Sequence, residues 1–182
     1  MEIVLTSFDD QNNLTAAEVN SSIYVCVNGR GSFQNSTALK EYVKKQLIKT
    51  SPKKILLDMT SCSGMDSTFM GVLAGLACTT KKTNSHTFTL INLSKKNEKL
   101  LTTLGVSKIL DYQSDDKSNI KNKINDDNLS ALTANQNKTT KTSLEAHKTL
   151  VKIEPKNLKE FKNVIELLEQ DLNQSKEITW YK

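Results

Sequence analysis

Apolar positions along this chain follow two rhythms, and the change from one to the other marks its elements. Ile55-Leu56-Leu57 is a short continuous apolar run between lysines and turn formers, the length of a buried strand. The small polar stretch Thr60-Ser61-Cys62-Ser63-Gly64 reads as a loop. From Met70 onward, Leu73, Ala74 and Ala77 recur at spacings of three and four, the stripe of an amphipathic helix. Strand, loop and helix start thus meet at Asp66, Ser67 and Thr68. A carboxylate or hydroxyl there can satisfy the free N–H groups of a first helical turn, which by itself accounts for all three residues.

The same reading runs through the rest of the chain. Residues 3–8, 22–27, 54–59 and 87–93 are strand-like, the second being richest in β-branched and aromatic side chains. Residues 9–13 read as a turn-rich break, and Asn28-Gly29-Arg30-Gly31 as a sharp reversal. Leu39, Tyr42, Val43 and Leu47 predict a helix capped by Ser36 or Thr37 and stopped at Ser51-Pro52. Gly71 and Gly75, one turn apart, predict a close-approach surface against the sheet. Each glycine costs about 1 kcal/mol against alanine in a helix, so a packing reason is expected. Ser94 predicts the cap of a short helix through Leu100, Leu101 and Leu104, closed by Gly105. Near the C-terminus, Leu158, Phe161, Ile165, Leu168 and Leu172 predict an amphipathic helix with Asn157 and Glu160 at its start, docked on the sheet or on a twin subunit.

Two stretches carry a family resemblance. Leu57-Asp58-Met59, followed by Met65-Asp66-Ser67-Thr68-Phe69-Met70-Gly71-Val72-Leu73, resembles the signature of the STAS domain, the fold of anti-sigma-factor antagonists. The resemblance implies an α/β fold, a STAS-like mixed β-sheet packed by α-helices. It also implies a phosphorylation-controlled partner switch, in which the protein captures an anti-sigma-factor serine kinase while its regulatory serine is unphosphorylated. A PP2C-type, metal-dependent phosphatase would reset it. The family's phosphoserine follows the aspartate directly and so maps to Ser67, with Thr68 as the competing position. The partner-binding surface implied is Asp66, Ser67, Thr68, Phe69 and Met70. Phe69 stands where the family commonly has glycine, and is expected to alter the surface beside the serine.

Composition changes this picture mainly at the C-terminal end. Hydrophobic content of 37% and aromatic content of 5% are low for a chain that is all core, so part of it is expected to stand outside one. Residues 113–143, rich in Asp, Asn, Lys, Ser and Thr, read as a linker or disordered insert between a STAS-like domain at 1–112 and a C-terminal segment at 144–182. A net charge of +5 with Arg30 as the one arginine reads as solvated surface, not a nucleic-acid face. No apolar stretch approaches the ~18 residues needed to span a bilayer, and the chain reads as cytoplasmic.

Chemistry adds little. Cys26, Cys62 and Cys78 share no metal-ligand spacing, Cys26 and Cys78 reading as buried thiols and Cys62 as a loop residue. Asp58 and Asp66 flank the loop, but no histidine or lysine is placed in sequence to act as a base for Ser67. His86 reads as a surface residue, with His147 far along the chain. Neither catalysis, a metal nor a cofactor is expected. The alternative function is a STAS-like scaffold subunit of a larger complex with no phospho-switch, oligomerising through the C-terminal helix.

Overall fold

The apolar run at 55–57 becomes the middle of a sheet. The computed structural model describes residues 12–19, 21–49, 53–83, 86–114, 130–132 and 138–178. Its strands are β1 (Asn13–Val19), β2 (Ser22–Gly31), β3 (Lys54–Asp58), β4 (Cys62–Met65), β5 (Thr87–Ile91), β6 (Asp111–Gln113) and β7 (Ser130–Ala131). They lie in the order β6-β5-β3-β2-β1-β7, with β4 pairing beside the far end of β2. β3 is parallel to both β2 and β5, whereas β1 runs antiparallel to β2 and to β7, so the sheet is mixed as expected. Alternation sorts the side chains. Ile23, Val25, Val27, Ile55, Leu57, Phe88 and Leu90 enter the main core with the helices, while Tyr24, Leu56 and Ile91 form a smaller cluster with Ala17.

Several boundaries differ from expectation. The strand expected at 3–8 lies outside the described residues. β1, by contrast, has weak β formers in Asn13, Ala16, Ala17 and Glu18, and its pairing with the strongly β-forming β2 decides its conformation. The expected reversal at Gly29-Arg30-Gly31 is a continuation of β2. Gly29 takes φ 75°, and the register with β4 slips between Gly29 and Arg30. The loop expected at 60–64 therefore contains part of a strand, β4.

The first helix, α1 (Phe33–Leu47), begins earlier than Ser36. Ser32 precedes it, and the Asn35 side chain accepts from the Ser32 N–H at 2.9 Å. Ser36 and Thr37 are fully buried inside it. Helix α2 (Ser67–Thr83) follows β4, and α3 (Lys95–Thr103) is capped by Ser94 as expected, its hydroxyl accepting from Asn97 N–H at 3.2 Å. Gly105, at φ 74°, ends α3's C-terminal turn before a 3-10 turn at Val106–Lys108.

Two further helices follow. Helix α4 (Thr139–Ile153) packs on α2, and α5 (Leu158–Ile178) packs on α4, not on the sheet as expected. The reason is geometric: α2 buries Phe69, Leu73, Ala74 and Ala77 in the core and offers its remaining side to α4. Asn157 does not act as the expected cap for α5. It is buried, and its amide donates to the carbonyls of Leu104 and Leu150, each at 3.0 Å, tying the α4–α5 corner to the end of α3.

Leu150 is 0% exposed at the α4 seam. Leu150→Ala should cost about 2–5 kcal/mol, the usual range for a buried leucine truncated to alanine. Urea unfolding followed by circular dichroism measures it. A change under about 0.5 kcal/mol would mean that α4 is not part of the cooperative fold.

Candidate functional site

The site is built where the ends of β2 and β4 deliver the first turns of α1 and α2 to the same place. Asp66 joins the two helices. Its Oδ1 accepts from the Phe69 N–H at 2.8 Å, capping α2, while its Oδ2 accepts from the Phe33 N–H, also at 2.8 Å, at the start of α1. Its own N–H donates to Gly31 O at 3.0 Å. One carboxylate thereby meets the positive ends of two helices, where negative charge is most stabilising. Ser67, the first residue of α2, is half-buried.

The other residues of the expected partner surface are not on the surface. Phe69 is fully buried, with Thr68 and Met70 each at 5% exposure. A Cβ built on Gly31 would stand 2.6 Å from the Phe69 ring, so this phenylalanine fills the space that a glycine in β2 leaves open. The expectation that Phe69 alters the outer surface is thus corrected. A helix entering the core buries its third and fourth residues, and Asp66 and Ser67 are what remain at the rim.

Ser67 has a partner that sequence separation concealed. Its Oγ lies 3.0 Å from Nε2 of His147, on α4. The other ring nitrogen, Nδ1, is 2.8 Å from the Ser143 carbonyl, which can only accept, so Nδ1 carries the proton and neutral Nε2 accepts from the serine hydroxyl. His147 is 5% exposed, and the Phe161 ring of α5 stands edge-on to it at 4.9 Å. Burial holds its pKa below the ordinary 6.5, against the Ser143 hydrogen bond and the Asp66 charge. The expectation that no histidine reaches Ser67 is therefore overturned. The Thr142–Ile153 pattern held the only available signal: His147 lies among Ser143, Ala146 and Leu150, the buried stripe of α4.

Other candidates have structural roles. Asp58 Oδ1 accepts from Thr60 N–H, Thr60 Oγ and Asn92 Nδ2 at 2.6–3.0 Å, closing the turn after β3. His86 is buried, not at the surface, and its Nδ1 accepts from the Lys53 N–H at 3.1 Å. Cys62 is buried too; burial pushes its thiol pKa up, and its Sγ lies 3.3 Å from the Gly64 carbonyl. Among the described residues no group of three or more His, Cys, Asp or Glu could hold a metal ion, and no helix is long and apolar enough to cross a membrane.

The STAS domain, as a family, matches residues 14–126, from β1 through the sheet to beyond β6. The chain belongs to the STAS domain family. Among solved structures, the STAS fold here is similar to the crystal structure of a candidate anti-sigma factor antagonist, TM1081 of Thermotoga maritima. The two share 20% identity over 60% of this chain and 92% of that one, with a TM-score of 0.50. An NMR structure of TM1081 matches 54% of this chain and 78% of that one at 20% identity and a TM-score of 0.48. Helices α4 and α5 lie beyond the residues that match the STAS family, so the histidine on Ser67 is supplied from outside the matched domain.

Two measurements probe this arrangement. Asp66→Ala removes the acceptor for both the Phe33 and Phe69 amides and should cost about 1–3 kcal/mol by thermal unfolding, given about 0.5–2 for one cap. His147 supplies a pH signature. Its contribution to stability is present in full above the ordinary imidazole value of 6.5 and is lost as pH falls from there through the lowered folded value. The facing groups are Asp66 and Ser67. The native protein should lose stability between pH 7 and pH 5, and His147→Gln should flatten that slope.

Proposed function

We propose that this chain is an anti-sigma-factor antagonist in a phosphorylation-controlled partner switch, binding an anti-sigma serine kinase while Ser67 is unphosphorylated. The observation that carries this reading is the position of Ser67. It is the first residue of α2, next to a carboxylate fully engaged in holding two helices, and its hydroxyl is free of any capping duty. The STAS family membership supplies the coarser frame. Thr68 is 5% exposed and is the poorer phosphate acceptor.

A phosphate on Ser67 adds about −1.5 to −2 charges at neutral pH. At the start of α2 that charge meets free N–H groups and the positive end of the helix dipole, while Asp66 opposes it, so the domain itself tolerates it. A partner lying over the serine has no such compensation. Leaving a buried charge unpaired costs about 2–5 kcal/mol, or roughly 30- to 3,000-fold in affinity. A PP2C-type phosphatase restores the binding form. The reading needs no cofactor and no catalysis. The His147 ring is oriented by a backbone carbonyl, and Asp66 has both oxygens committed elsewhere, so the Ser67–His147 pair lacks the carboxylate that would make it a triad.

The Ser67–His147 contact adds a second layer of control. With α4 docked, the Ser67 hydroxyl is engaged by a buried imidazole at 3.0 Å, and in this reading that contact competes with a kinase for the serine. The form with α4 docked is the covered form, and kinase access follows its withdrawal. A second reading, a scaffold subunit of a larger complex with no phospho-switch, is favoured by α5, where Leu158 is 50% and Leu167 65% exposed.

The test uses the full chain with its cognate serine kinase and ATP. Mass spectrometry should find one phosphate, absent in Ser67→Ala, and the phosphoprotein should bind the kinase at least 30-fold more weakly; equal affinity ends the switch reading. Gly71→Ala places a Cβ about 2.5 Å from the Ala146 carbonyl oxygen and should unseat α4 while favouring helix in α2. Ser67 phosphorylation should then run several-fold faster. An unchanged rate in a variant with normal helix content would remove α4's role as a cover.

A further inference from the structure

Gly71 and Gly75 lie one turn apart on α2 and read alike in the sequence, yet they face opposite surroundings. At Gly71 the backbone of α4 is so close that a Cβ would collide with the Ala146 carbonyl oxygen, whereas a Cβ on Gly75 would meet nothing within 4 Å. The close approach expected against the sheet is found at Gly71 alone, and there it is made by helix α4. A glycine inside a helix costs about 1 kcal/mol against alanine, and Gly75 gains no packing in exchange. What its missing side chain preserves is space.

That space is a cavity of about 510 Å³ between α1, α2 and α4. Its volume falls inside the range of small-molecule sites, roughly 300–1,000 Å³. The inner wall is apolar, made by Val72 and Leu76, both almost fully buried, together with Gly75 and Ile153. The charged side chains around it are unbalanced: Lys40, Lys44, Lys82 and Lys152 stand against Glu145 alone. Glu145 is taken by Lys40 at 2.6 Å. Among the described residues no carboxylate lies within 4 Å of the amines of Lys44, Lys82 or Lys152.

We infer that this cavity is a binding site for an anionic amphiphile, a molecule with an apolar body of about ten carbons and a carboxylate or phosphate head. The body lies against Val72, Leu76 and Ile153, where it replaces water on apolar surface. The head meets the lysine amines that line the cavity, whose flexible stems let the charge close over a ligand. A neutral amphiphile would bury the same area but leave the amines unmatched. One wall of the cavity is α4, beyond the residues that match the STAS family, so the site is a property of this chain's C-terminal extension. It requires α4 to be seated, but it does not depend on Ser67 being a phosphorylation site.

The experiment uses the full chain and three probes of equal chain length: decanoate, decyl phosphate and decan-1-ol. Isothermal titration should show saturable 1:1 binding of one or both anions, at least tenfold tighter than the alcohol. The stronger of the two anions tells a fatty-acid type of ligand from a phospholipid or phosphate-ester type. Gly75→Leu, which fills the cavity, should weaken binding at least tenfold with the unfolding midpoint retained. Thr149→Phe, entering from the α4 wall, serves the same purpose if Gly75→Leu fails to fold. The pair Lys82→Gln and Lys152→Gln should weaken the anions several-fold and leave the alcohol unchanged. Cys78 lines the cavity and provides a local readout: saturating ligand should slow its alkylation, located by mass spectrometry. No saturable binding, equal affinity for decan-1-ol, or wild-type binding by a folded cavity-filled variant overturns the inference.

Discussion

The carboxylate of Asp66 is the contact on which the arrangement of this site depends. A helix start leaves N–H groups without partners, and two helix starts brought together would leave two such sets side by side. One aspartate answers both, with one oxygen on the Phe69 amide and the other on the Phe33 amide. Its backbone N–H is meanwhile held by Gly31 at the end of β2. Strand ends and helix starts are thereby locked to a common point, and Ser67, one residue later, inherits a defined position without serving as a cap. Its hydroxyl is left to meet His147 instead of a backbone N–H.

The second constraint is steric and involves glycines. Gly31 leaves room for the Phe69 ring, which turns the first turn of α2 into the core and keeps the bulky residue away from the surface. Gly71 lets α4 approach closely enough to place His147 on Ser67. The two contacts act on the same helix from opposite sides. The neutral imidazole, its Nδ1 proton held by Ser143 and its ring flanked by Phe161, is suited to accept from a hydroxyl and poorly suited to carry charge. A buried histidine in this state ties the serine hydroxyl to α4 in the folded structure.

Departure from this close packing farther along α2 is equally informative. Helices that touch at Gly71 separate at Gly75, and the gap is lined by apolar side chains under a surplus of lysines. The chain's net charge of +5 is dispersed over its surface, but here folding gathers part of it around one concavity. Charge that reads as solvated along the sequence becomes a local field once three helices converge.

Much of the fold was legible in the order of residues. The buried strands β2, β3 and β5, the helix start at Ser67, the cap at Ser94 and the turn at Gly105 are local features, set by alternation, capping chemistry and positive φ within a few residues of one another. The Met-Asp-Ser-Thr stretch likewise pointed to the family, because capping and strand-loop-helix order leave a contiguous trace. Only tertiary structure decided the rest. β1 is a strand because β2 pairs with it, and β4 because the end of β2 runs past it. Phe69 is buried because Gly31 lies opposite, and Asp66 serves a second helix more than thirty positions away. His147 reaches Ser67 across a separation of 80 residues, and the contrast between Gly71 and Gly75 exists only once α4 is in place. Periodicity reports which face of an element seeks burial, but carries no record of which distant surface will cover it.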